Sequence, residues 1–162
     1  MATGSIGVGG GVLKPGISKQ TIKETGAIMQ MPVSIGYRGN MWVLPREPLV
    51  SVRGRNIITR RNIAKKTGVG SVKELWSTDD YEVILTGTLV DGEVTDELPS
   101  QMISRLNALY QAKKSVIIEC ALLEAVGVAL LAIESIEFPP TKGIGRQEYI
   151  IRGFSDEDHE LL

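Results

Sequence analysis

Tyr81, Val83, Leu85 and Leu89 alternate with Glu82, Ile84, Thr86 and Thr88, the period-two signature of a β-strand with one face in a core. Ile84 places apolar area on the second face as well, so that face is expected to meet another layer or a neighbouring chain rather than bare water. Just upstream, Ser77, Thr78, Asp79 and Asp80 supply turn chemistry. The pattern therefore predicts two strands, Ser71 to Trp76 and Asp80 to Val90, joined by a short reversal. This is the most strand-like part of the chain, and the residues beyond Val90 read as cover for one of its faces.

The preceding sequence divides by texture. Residues 1–30 mix Gly4, Gly7, Gly9, Gly10, Gly11, Gly16 and Gly26 with scattered apolar residues at no fixed period. Such a segment does not recover its ordering entropy alone. It reads either as a flexible arm or as one that orders on a neighbouring subunit through Ile17, Ile22, Ile28 and Met29. Met31 to Leu44 suggests two short strands about the turn Gly36 to Asn40, closed off by Pro45 and Pro48, which suit an edge or a linker. Leu49 to Ala64 is a further strand candidate broken near Gly54 and Asn56, and Lys65 to Gly70 is a loop tip leading back into the strand at Ser71.

Beyond Val90, the turn at Asp91 and Gly92 ends the long strand and Pro99 opens a helix. Met102, Ile103, Leu106, Leu109 and Tyr110 make one apolar stripe there, with polar residues elsewhere, so the helix lies on a sheet with one face wet. Ser115 to Cys120 is a short strand, Leu122 to Val126 a turn or single helical turn, Val128 to Phe138 a strand, and Gln147 to Phe154 a last alternating strand. Strands around one helix, without βα alternation, predict an α+β, mainly β fold: an antiparallel β-barrel or sandwich flanked by one α-helix, with an extended N-terminal arm. The expected division is an arm and short hairpin over 1–48, the barrel or sandwich over 49–154, and an acidic tail over 155–162.

Charge changes this picture locally rather than globally. In 162 residues, Lys plus Arg number 18 and Asp plus Glu 19, so no bulk field draws the protein to nucleic acid or a membrane. Arg53, Arg55, Arg60, Arg61, Lys65, Lys66 and Lys73, however, lie between Glu47 and Glu74 with no acid among them, while Asp156, Glu157 and Asp158 open the acidic tail. These basic and acidic blocks are the candidate interface, with the tail of one copy meeting the basic block of another. Phosphate binding is the competing use of the basic block. Between Arg53 and Lys73 no aromatic is available for stacking, which leaves only non-specific affinity for that reading.

Catalytic and cofactor motifs are weak by the same scrutiny. Gly7 to Val12 lacks the dinucleotide spacing, and neither Thr67 to Val72 nor Lys142 to Gly145 ends in the Gly-Lys-Ser/Thr of a phosphate loop. The one histidine, His159, sits in the acidic tail, and Cys120 has apolar neighbours that suit a small buried hydrophobe. Asp79 and Asp80 are adjacent in a turn, where carboxylates usually cap backbone amides rather than act as an acid/base pair. The expectation is a non-enzyme without cofactor or metal. The N-terminus lacks the basic and apolar regions of a signal peptide, and no apolar run is long enough to span a bilayer, so a reducing cytoplasm is the expected site of synthesis.

The order of these features resembles a family of domains of unknown function encoded in bacteriophage tail gene clusters. The residues carrying the resemblance are the basic strand Arg55 to Arg61, the Gly-rich hairpin into Gly70-Ser71-Val72-Lys73-Glu74, then Trp76, Asp79-Asp80-Tyr81-Glu82-Val83, Gly87-Thr88-Leu89, a proline-started helix, and a strand ending in Phe138-Pro139. It covers Leu49 to Asp158, and Leu98-Pro99 stands where the family tends to have Tyr-Pro. More loosely, the chain looks like small ring-forming tail and baseplate adaptors. The resemblance implies a β-barrel or sandwich flanked by a helix, and a structural virion protein made in the host bacterial cytoplasm. Its implied partners are other copies in a sixfold ring and other tail or baseplate proteins, with DNA met only in passage through a tail lumen. A non-specific nucleic-acid-binding accessory protein is the alternative.

Overall fold

The structure, a computed structural model, describes residues 31–61, 71–91 and 97–157. In chain order its elements are β1 (Ser34–Tyr37), β2 (Asn40–Val43), β3 (Leu49–Arg53), β4 (Asn56–Arg61), β5 (Val72–Thr78), β6 (Glu82–Leu89), α1 (Ser100–Gln111), β7 (Val116–Glu119), α2 (Ala121–Ala125), β8 (Leu130–Glu137) and β9 (Gln147–Asp156). Seven strands form one antiparallel sheet in the order β2-β1-β7-β8-β9-β6-β3, curled into a half-barrel, while β4 and β5 pair only with each other. The fold is mainly β within the α+β class, and the five-residue α2 falls where the sequence suggested a turn or single helical turn.

The alternation in β6 is the backbone of the core. Val83, Leu85 and Leu89 are fully buried, and their partners across the ladder, Gly153, Ile151 and Gln147, carry the same face onto β9. Leu131 of β8, Val116 and Ile118 of β7, and Ile35 of β1 continue it around the curl. Leu106 of α1 and Leu123 of α2 close the layer from above. Pro99 caps the helix start, and Met102, Ile103 and Leu109 pack half-buried beside Leu106. Tyr110, placed on the apolar stripe by its spacing, is 37% exposed. Cys120 is buried at the start of α2.

The hairpin of β1 and β2 is not, as its sequence suggested, an appendage of the N-terminal arm: β1 pairs with β7, and Val33, Ile35 and Leu44 are fully buried. Its alternating apolar residues complete the core, so the sheet runs across the expected boundary at residue 48. Residues 1–30, the arm itself, lie outside the described residues. Similarly, β9 runs through Asp156 and takes the first residues assigned to the acidic tail into the sheet.

The expected reversal at Asp79 is also absent: β5 and β6 do not pair, and they belong to different sheets. Asp79 N donates to Arg55 O at 2.8 Å and its carboxylate accepts from the Arg55 guanidinium, which holds the end of β5 on β4. Two residues later, Tyr81 N donates to Ser155 Oγ at 2.9 Å and Tyr81 O accepts from Ser155 N at 2.8 Å, which docks the chain on β9. The turn residues thus change the partner of the chain instead of folding it back. Because Arg53 and Glu82 face each other across β3 and β6, β4 and β5 leave the sheet and rejoin it at one place.

Candidate assembly interface

β4 and β5 form a two-stranded ribbon with almost no cover. Every residue of β4 is exposed, and of β5 only Glu74 is half-buried. Leu75 is 67% exposed, Trp76 64% and Ile58 49%. A two-stranded hairpin is marginal in water without a layer against it, and this much exposed apolar surface makes it the candidate contact site. The register shift between Ile57 and Ile58 leaves Trp76 without a residue opposite, a bulge that adds twist to the ribbon.

Cross-strand pairing sorts the side chains by face. Ile58 faces Leu75 and Arg60 faces Lys73, so one face carries an apolar pair followed by two like charges. On the other face Arg61 faces Val72, and Arg61 Nε lies 3.5 Å from Glu74 Oε2, an exposed pair of small energetic weight. Like charges placed directly opposite each other destabilise a ladder. Arg60 and Lys73 therefore disfavour the free ribbon and favour one covered by anionic groups.

Near the sheet, Arg55 is bound to Asp79, whose carboxyl is held below its usual range chiefly by that guanidinium and secondarily by the Asp80 amide. Gly54 permits this close base: a Cβ there would lie 2.9 Å from Cε1 of the Tyr81 ring. Arg53 stands apart on β3, facing Glu82. Lys65 and Lys66 lie outside the described residues, as does Asp158. Asp156 is occupied within the chain, since its carboxylate accepts from Ser115 Oγ and from Glu157 N, while Glu157 is exposed. The structure thus gathers Arg60, Arg61 and Lys73 on the ribbon, keeps Arg55 at its base, and leaves Arg53 and the start of the acidic block on the large sheet. The apolar part of this surface is not marked in the sequence. Ile57, Ile58, Val72, Leu75 and Trp76 read as strand residues bound for a core, and only the break at Gly54 and Asn56 hinted that their strands leave the sheet.

Among the described residues no group of three His, Cys, Asp or Glu side chains is placed to hold a metal, and no helix is long and apolar enough to cross a membrane. An open cleft at the end of α1, between Tyr110, Lys114 and Ile133, gathers no convergent acid or base.

The described residues thus form a half-barrel with helices on one face and an exposed ribbon that combines cationic and apolar side chains. The chain belongs to the family described as Domain of unknown function (DUF6046), which matches residues 43–162. Among solved structures it is similar to the Dit protein (gp 19.1) of phage SPP1, described as a paradigm of the hub adsorption apparatus in phages infecting Gram-positive hosts. That likeness has 18% identity and a TM-score of 0.49, and covers 77% of this chain. The chain spans about half the length of that protein, with 50% of it covered. No curated protein gives a significant match.

Proposed function

We propose that the protein is a structural component of a phage tail or baseplate that forms or joins a ring and acts by subunit contacts. The observation that carries this is the β4–β5 ribbon, an ordered element that exposes Leu75, Trp76 and Ile58 beside Arg60 and Lys73. The order of sequence features resembling a family of phage tail gene clusters supplies the setting. Individually weak contacts of this kind become effective when repeated around a closed assembly. Such a protein is made in the bacterial host and ends in the virion. The test is to purify tails from phage carrying the gene with an epitope tag and image them by negative stain with labelled antibody. Label at one level of the tail is expected, together with tail assembly arrested when the gene is silenced. Complete, infectious tails without the protein would overturn the proposal.

One observation favours a second reading. Trp76 adds an exposed aromatic to the basic ribbon, outside the interval in which the sequence offered none. Basic groups with a stacking ring are what single-stranded nucleic acid binding uses. This reading predicts binding of an oligonucleotide that falls steeply with salt and is lost in Trp76→Ala.

A further inference from the structure

The large sheet has a second face, turned away from α1 and α2, and its charges are arranged unevenly. In register across β3, β6, β9 and β8, one row is Leu49, Thr86, Ile150 and Glu137, with Thr88 and Glu148 paired one step beyond. Leu49 is 75% exposed, Ile150 is half-buried, and Glu137 and Glu148 are exposed. Neither carboxylate has a cation opposite it in the ladder. At the other end of the same face the row is Arg53, Glu82, Phe154 and Ala132, followed by Ser51, Ile84, Arg152 and Ser135. The face therefore runs from an end where Glu137 and Glu148 lie near Leu49 and Ile150, with Lys142 and Arg146 in the adjoining loop between β8 and β9, to an end where Arg53 and Arg152 share it with Glu82, Asp156 and the exposed Phe154.

The ribbon matches the first of these ends: Ile58 and Leu75 correspond to Leu49 and Ile150, and Arg60 and Lys73 to Glu137 and Glu148. The end it grows from offers its cations less, because Glu82 and Asp156 there share the face with Arg53 and Arg152, and the Asp156 carboxylate already accepts from Ser115 Oγ. It leaves the sheet at Arg53, and Leu49 lies at the opposite end of β3, about 13 Å away at the usual rise of a strand. To reach Leu49 within its own chain the ribbon would have to turn back along the whole length of β3.

We infer that the β4–β5 ribbon of one copy docks on the second sheet face of another copy, with Arg60 and Lys73 against Glu137 and Glu148. This rests on the proposed assembly role and names the partner of that surface as a second copy of this chain. The contact is head-to-tail, joining two different patches, so it repeats into a ring or an open filament rather than stopping at a dimer.

Charge reversal tests it. One variant carries Arg60→Glu and Lys73→Glu, the other Glu137→Lys and Glu148→Lys; each is checked for an unchanged unfolding midpoint. Sedimentation velocity at low salt should show wild-type protein associating and each variant alone as a monomer, because reversed patches repel their own kind. Mixing the two variants should restore association, since each then offers the charge the other lacks. Restoration in the mixture is not expected if the lost association reflects damage to the ribbon or to the face alone. A wild type that stays monomeric, a variant that still associates, or a mixture that remains monomeric would each overturn the inference. Loss of docking to another tail protein with self-association intact would do so too, while leaving the assembly role standing; oligonucleotide binding lost only in the ribbon variant, with association unaffected, would move the surface to nucleic acid.

Discussion

Gly87 and Tyr149 face each other across β6 and β9, and the tyrosine ring lies over the glycine: a Cβ on Gly87 would sit 2.5 Å from the hydroxyl oxygen and 2.7 Å from Cζ. The missing side chain makes room for the largest fully buried residue of the core. Gly87→Ala is therefore expected to cost about 1–3 kcal/mol, the usual range for overpacking a filled core. In a Tyr149→Leu background the same change should cost much less. Denaturant unfolding of the four proteins measures the coupling, and additive effects would mean the ring moves aside freely.

The hydroxyl of Tyr149 finds no hydrogen-bond partner among the described residues, and burial pushes its pKa up from the ordinary value of 10.0. Above about pH 10 the unfolded chain ionises this tyrosine while the folded one keeps its proton. The unfolded state then binds fewer protons, so stability falls as pH rises, by up to about 1.4 kcal/mol per unit from this group, and is undiminished below pH 10. Tyr149→Phe should flatten that part of the curve. At neutral pH it should be neutral or stabilising by roughly 1 kcal/mol, because it removes a buried polar group without a partner.

Leu106 is 1% exposed and carries the contact of α1 with the sheet. Leu106→Ala should lower stability by about 2–5 kcal/mol, and a loss below about 0.5 kcal/mol would place the residue at the surface. Beside it, the guanidinium carbon of Arg105 lies 4.9 Å from the centroid of the Trp42 ring, and Nη2 donates to Asn40 Oδ1 at 3.0 Å. Arg105→Ala should cost about 0.5–1 kcal/mol. In a Trp76→Phe background it should also shift the emission of Trp42, the remaining tryptophan.

Asp79 anchors the ribbon locally. Asp79→Asn should speed amide exchange in β4 and β5 and leave β6 and β9 protected, since the Arg55 pair lies at the surface and joins only the ribbon's ends. Because the carboxyl is held below 3.8, the anchor is intact above that pH and is lost as acid protonates it. An acid titration followed by the Trp76 indole proton should report the ribbon loosening before the sheet unfolds. Simultaneous loss of both would show them to be one cooperative unit.

Strand positions were legible wherever alternation met a turn signal. Val83, Leu85 and Leu89 named their own face, and Pro99 marked the start of α1. Partners were less legible, because pairing depends on contacts distant in sequence. Nothing near Asp79 announces that Arg55 and Ser155 divide the chain between two sheets there. Val33 and Ile35 likewise gave no sign that β7, far along the chain, would bury them. For the candidate interface, the basic residues stood out as a block without acids. The apolar ones did not, because Leu75 and Trp76 have the composition of a core strand and only their pairing leaves them bare.

The excursion of the ribbon from the sheet also bears on how this chain varies. Since Arg53 and Glu82 are neighbours in register, the segment between them could be lengthened, shortened or exchanged with little strain on the half-barrel. Under the proposed assembly role, choice of partner and resistance to unfolding are then separable traits, drawn from different stretches of the same sequence. Relatives that share the sheet while carrying unrelated ribbons would be the natural product of that separation, and the ribbon is accordingly the place to graft a new specificity.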